Sequence, residues 1–173
     1  LSPFHLAETP VTNQQYRRFL DANQTHPKPT YWNADRFSND RQPVVGVDWN
    51  DAMKFCEWLA KESDKEFFLP TEAQWEYAAR GTEGRRFPWG NDKPTPEHAC
   101  CGLDWETGRP AFVGQFPAGR GPFGHLDLAG NVWEWCRDAW DAKAYEKRAS
   151  SLVKDPLVTG GDQDWYSVRG GSW

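Results

Sequence analysis

The sequence has no block of like charge, no long apolar run and no recognisable cysteine framework, and each lack narrows what the chain does. Lys and Arg number 20 against 25 Asp and Glu, a balance of −5 spread along the chain. Reading nucleic acid through its phosphates needs a basic stripe, so a nucleic-acid partner is not expected. No apolar run approaches the roughly 20 residues that cross a bilayer, so no membrane partner is expected either. Leu1 to Thr12 lacks the basic-then-apolar pattern of a secretory signal. The chain therefore reads as soluble and cytoplasmic, and its start at Leu1 rather than Met points to a processed chain or an excised piece. Cys56 sits in a helical pattern, Cys100 and Cys101 are adjacent, and Cys136 follows a Trp-rich stretch. That spacing makes neither a zinc knuckle nor a redox CxxC, so reduced, packed thiols are expected. His98 beside Cys100 lacks a second pair of ligands at zinc spacing.

What is abundant is tryptophan, 11 of 173 residues, several times its usual frequency. The length suits one compact domain. Thr12 and Gln15 form a capping box, and Tyr16, Phe19 and Leu20 recur at helical spacing, which predicts a first helix from Thr12 to Ala22. Asn23 to Gln42, with Pro27 and Pro29, predicts a long surface loop pinned by Tyr31, Trp32 and Phe37. After the short β-branched run Pro43 to Val47, Asp48 caps a second helix from Trp49 to about Glu62, with Ala52, Phe55, Cys56, Leu59 and Ala60 inward. A third runs from Thr71 to a stop at Gly81, with Trp75, Ala78 and Ala79 inward. Beyond Gly81 helical periodicity fails, apart from a short turn near Ala139 to Lys147. Ala111 to Phe116, Asn131 to Cys136 and Tyr166 to Arg169 are candidate strands of a small antiparallel sheet. Loops this long need fastening, because each ordered residue costs about 1–2 kcal/mol of backbone entropy.

Several segments together carry a resemblance. They are Glu8 to Tyr16 (ETPVTNQQY), Pro43 to Ala52 (PVVGVDWNDA) and Leu69 to Gly81 (LPTEAQWEYAARG). Phe87-Pro88-Trp89-Gly90, Gly130 to Trp135 (GNVWEW) and Arg169-Gly170-Gly171-Ser172-Trp173 follow in the same order. The chain resembles the formylglycine-generating enzyme family, also called the sulfatase-modifying-factor domain. That resemblance implies a C-type-lectin-like α+β fold, loop-rich, with about three helices. It also implies a single domain over residues 1–173 that is incomplete at both ends, since family members place a strand before Phe4 and more strands after Trp173.

Members of the family differ in activity, so fold leaves function open. The copper-dependent oxidases carry a copper-binding cysteine pair just after the stretch reading Arg169 to Trp173 here. Cys136 and the earlier thiols lie where the family does not bind copper, so copper is not supported by the sequence as given. The iron-dependent members use clustered histidines, and His5, His26, His98 and His125 are scattered. Ser172 matches the serine lining the oxidase pocket and Trp133 an indole beside it; the alternative for both is loop packing. The resemblance further implies one calcium ion held by the side chains of Asp127 and Glu134 and the backbone carbonyls of Gly130 and Val132. A hard cation takes such oxygen ligands, and the alternative is ordinary hydrogen bonding. A second family calcium site is not carried over, because Cys100 and Cys101 stand where its ligands would be.

Trp49, Trp58, Trp75, Trp133 and Trp135 fall in motifs and are expected in the core. Trp32, Trp105 and Trp140 are candidates for a binding surface. The expectation is a non-catalytic lectin-like domain that binds a protein or small ligand, with the scaffold of a retroelement-diversified variable protein as one form of it. Two alternatives stay open: a fragment of a copper-dependent oxidase acting on a sulfatase cysteine, and an accessory or sensor domain of a larger signalling protein.

Overall fold

Reciprocal capping boxes start the three long helices. Thr12, Asp48 and Thr71 each accept the backbone N–H three residues on, while Gln15, Asp51 and Gln74 reach back to the cap N–H. These helices are α1 (Asn13–Ala22), α2 (Trp49–Ser63) and α3 (Glu72–Arg80). A computed structural model describes residues 1–104, 106–148, 152–160 and 165–173. Thr71→Ala removes one such cap, and a thermal melt should show a loss of about 1 kcal/mol, or about 2–4 °C for a chain of this size.

Among the described residues two clusters form the core, the first rich in aromatics. Tyr16, Phe19 and Leu20 of α1 meet Phe55 of α2, with Trp32, Trp58 and Leu59 packed against them. The Tyr16 and Phe55 rings stack at 5.6 Å. The second cluster joins Trp75, Ala78 and Ala79 of α3 to Leu128 and Cys136. The alanines let α3 lie close against the sheet, which is two antiparallel strands, β1 (Glu134–Ala139) and β2 (Tyr166–Arg169). Glu134 pairs with Arg169, Trp135 with Val168 and Ala139 with Tyr166, with an irregularity between the last two pairs.

Three expectations shift. The predicted strand over Ala111 to Phe116 is irregular backbone with a turn at Val113 and Gly114. Its N–H groups go to scattered acceptors rather than to a ladder: Ala111 donates to Asn131 Oδ1 at 3.0 Å and Gly114 to Asp127 Oδ2 at 2.7 Å, while Val113 donates to Arg41 O at 3.0 Å. β1 begins three residues later than Asn131, because Gly130 and Asn131 have φ of 80° and 66°, which a strand does not tolerate. The turn near Ala139 to Lys147 contains a short fourth helix, α4 (Ala144–Arg148). Pro43 makes only an isolated bridge with Thr12.

Candidate functional site: an aromatic cleft beside an acidic loop

β1 alternates inward and outward. Cys136 and Asp138 are buried, and the Glu134 carboxylate reaches the same side, where Trp75 Nε1 of α3 donates to Glu134 Oε2 at 2.9 Å. The other carboxylate oxygen, Oε1, is sealed from solvent and has no hydrogen-bond partner. Burial pushes the Glu134 carboxyl up to about 7, and the Asp127 charge adds to the push. Asp127 is itself buried, and its carboxyl is also raised by burial, against the Gly114 N–H that holds it down.

The loop between these acids is built to turn its backbone. Gly130, at φ 80°, lies so close to the 99–101 segment that a Cβ there would sit 2.5 Å from Cys100 O. The Asn131 N–H donates to that same carbonyl at 2.7 Å. Gly130 N–H donates to Gly170 O at 2.8 Å, and Asn131 O accepts from Trp173 N–H at 3.1 Å. The carbonyls of Gly130 and Val132 are not among these acceptors.

The donor set fits a hard cation. Asp127 is buried, Glu134 ends in a sealed, orphaned oxygen, and both carboxyls are raised; among the described residues neither has a hydrogen-bonded Lys or Arg. Among the described residues no group of three or more His, Cys, Asp and Glu forms a metal cluster. The ligands implied here are two side chains completed by carbonyls.

The thiols do not fit a soft copper ion. Cys136 is fully buried and burial pushes its thiol up to about 12; the Cys56 thiol is pushed to about 11 for the same reason. All four cysteines are free, and none lines the cleft described next.

That cleft has a volume of about 610 Å³. One wall is the Tyr31 and Phe37 loop with the 44–47 segment; the other is Val132, Trp133 and Trp135 with Val168, Ser172 and Trp173. Phe37 bridges them, 5.3 Å from the Tyr31 ring and 5.8 Å from that of Trp173. Trp135 Nε1 donates to Val47 O at 3.1 Å and closes the floor. Gly46 permits the tight packing, since a Cβ there would press on Tyr31 Cδ2 at 3.1 Å and Thr30 N at 3.2 Å. Arg36 and Glu106 are the charged residues on the rim.

Ser172 and Trp133 are thus brought into one cleft, which Val132 also lines, while Asp127 and Gly130 lie on the loop that leads into Glu134, the first residue of β1. Trp133 departs from the expectation of a core indole: it is 58% exposed over the cleft, whereas Trp75 is buried. Trp32 goes the other way, packing on Tyr16 with Arg17 over its ring at 5.1 Å. Trp140 is exposed but lies outside the cleft lining, and Trp105 lies outside the described residues. Sequence reasoning missed Tyr31, Phe37, Val44 and Trp173 as cleft walls. The clustered aromatics after Pro29 were the available signal. It also missed Asp138, although Glu134, Cys136 and Asp138 alternate as one face of a strand should.

These features define a class: a lectin-type α+β domain carrying an aromatic cleft beside an acidic loop. The chain belongs to the sulfatase-modifying factor enzyme 1-like domain family, whose model matches residues 1–173. The formylglycine-generating enzyme of Thermomonospora curvata is 38% identical over 126 residues, covering 66% of this chain and 39% of that protein. The Bos taurus protein named inactive C-alpha-formylglycine-generating enzyme 2 is 35% identical over 139 residues, covering 76% of this chain and 38% of that protein. The structure of PvdO from Pseudomonas aeruginosa superposes with a TM-score of 0.74 at 27% identity, over 96% of this chain and 67% of that one. The chain therefore spans about two fifths of the length of these curated relatives. Among the described residues no helix is long and apolar enough to cross a membrane.

Proposed function

We propose that this domain is a recognition module whose cleft binds an apolar segment of a partner protein or a small apolar ligand, without chemistry from its own side chains. The observation that carries this is Trp133, a large indole held out of the core and over a cleft of ligand size, directly after the buried Asn131 and Val132. Aromatic and branched aliphatic walls supply area, and Ser172 supplies one hydroxyl for orientation. Among the described residues no thiol or imidazole lines the cleft to act as nucleophile or base. A relative named inactive is compatible with such a role.

In the same reading, calcium is the ion proposed for Asp127 and Glu134, with the Gly130 and Val132 carbonyls completing its shell. It would neutralise both carboxylates and fasten a loop that lacks a ladder.

The test is selection of a displayed random-peptide library on the protein, with counter-selection on Trp133→Ala. Selected peptides should bind that variant about 30-fold more weakly, the roughly 2 kcal/mol of an aromatic hot spot, while its melting temperature stays close to wild type. Peptides that bind both proteins equally would remove the cleft from the reading.

A second reading, part of a formylglycine-generating oxidase, is favoured by Ser172 and Trp133 sharing one cleft and by the Thermomonospora relative. The thiols present do not fit copper, so no step is derived through it. Formylglycine formed from a sulfatase-type cysteine peptide with copper and oxygen would establish this reading in place of the first.

A further inference from the structure

The acidic loop and the cleft are the same piece of backbone. Asp127 and Glu134 close its two ends, and Val132 and Trp133, inside it, are cleft wall. The loop also holds the arm that completes that wall. Gly130 N–H grips Gly170 O at 2.8 Å and Trp173 N–H grips Asn131 O at 3.1 Å, which leaves Ser172 suspended between two fixed points. Asn131 has no slack to absorb a shift. It is 1% exposed, its N–H is committed to Cys100 O and its Oδ1 to Ala111 N–H. A movement that turns the Gly130 and Val132 carbonyls toward a cation must therefore move Trp133, the Ser172 to Trp173 arm, or both.

We infer that a hard cation between Asp127 and Glu134 sets the position of the cleft wall, so that ion binding and cleft binding are thermodynamically coupled. This rests on the cation reading above. The physical requirement is a differential one: the ion shifts the cleft only if it binds one arrangement of residues 130–133 better than another. Glu134 Oε1, sealed and unpartnered, is the atom with most to gain from that arrangement. Reciprocity follows, because a ligand that favours the same arrangement tightens the ion by the same factor.

The molecule carries its own reporters. Trp75 donates directly to Glu134 and reads ion arrival, Trp133 and Trp173 read the cleft, and Trp58 in the other core cluster is the control. The whole chain would be labelled with 5-fluorotryptophan, and the four fluorine resonances assigned from single Trp→Phe variants. Calcium chloride would then be titrated into chelator-treated protein, with magnesium chloride in a parallel sample. The expected result is that Trp75, Trp133 and Trp173 shift with one shared midpoint while Trp58 stays fixed. A Trp75 shift with Trp133 and Trp173 unmoved would overturn the coupling and leave the cation reading standing. An unmoved Trp75 would overturn both.

Discussion

Replacing Asp138 by alanine should lower unfolding free energy by about 2–3 kcal/mol, the cost of orphaning two backbone donors, one of them deeply buried. Asp138 is 1% exposed, and its two oxygens accept from Glu72 N–H at 2.8 Å and Val158 N–H at 2.9 Å. One carboxylate thus ties β1 to the first turn of α3 and to the 152–160 segment, elements that no regular ladder joins. Ala139 N–H reinforces the second tie by donating to Val158 O at 3.0 Å. Alanine removes both acceptors, and the Glu72 donor is a buried one. Asparagine keeps one carbonyl oxygen and should cost about half as much. Urea melts of the two variants, read with a common m-value, check this order. Equal losses would mean that volume rather than hydrogen bonding is what Asp138 supplies.

The second large effect belongs to the acidic loop, and its sign depends on pH. An ion bound only to the folded state stabilises by about 2.7 kcal/mol when its free concentration is 100 times its dissociation constant, which is about 5–10 °C in Tm here. Chelation should remove that increment from the wild type and change nothing in Glu134→Ala. Without the ion, the Glu134 carboxyl sits at about 7 when folded against an ordinary 4.5. Between those values the folded protein holds a proton that the unfolded chain has released, so stability falls as pH rises through the window. Asp127, raised in the same direction, adds to the slope. Chelated protein should therefore melt higher at pH 5.5 than at pH 7.5. Calcium should reverse that order, because the ion replaces the proton and binds more tightly once Glu134 has ionised. Melting that is insensitive to chelator at both pH values would remove the cation from the reading.

The helices were legible because their signals are local. Thr12 with Gln15, Asp48 with Asp51 and Thr71 with Gln74 stand three residues apart, and a cap needs nothing from the rest of the chain. The resemblance in the motif stretches correctly implied the family and the loop-rich α+β fold. The strand over Ala111 to Phe116 failed because its apolar look says nothing about acceptors 13 to 20 residues away. Asn131 and Asp127 take the Ala111 and Gly114 N–H groups, and Val113 N–H goes to Arg41 O. The start of β1 failed although a signal was there, since Gly130 and Asn131 are residue types that accept the left-handed backbone, and the Asn131 N–H leaves the strand direction to meet Cys100 O.

By itself the sequence determined the three long helices, the family they compose, and which acids and aromatics are available to a site. Tertiary structure decided which of those residues meet. It put Trp133 at the mouth of a cleft rather than in the core, joined Tyr31 and Phe37 to Trp173 across more than a hundred residues of sequence, and left one oxygen of Glu134 without a partner. The physical reason is one of range. Caps and periodic faces are settled within a turn or two of backbone. Exposure of an indole and the solvation of a carboxylate are settled by whatever the rest of the chain lays against them.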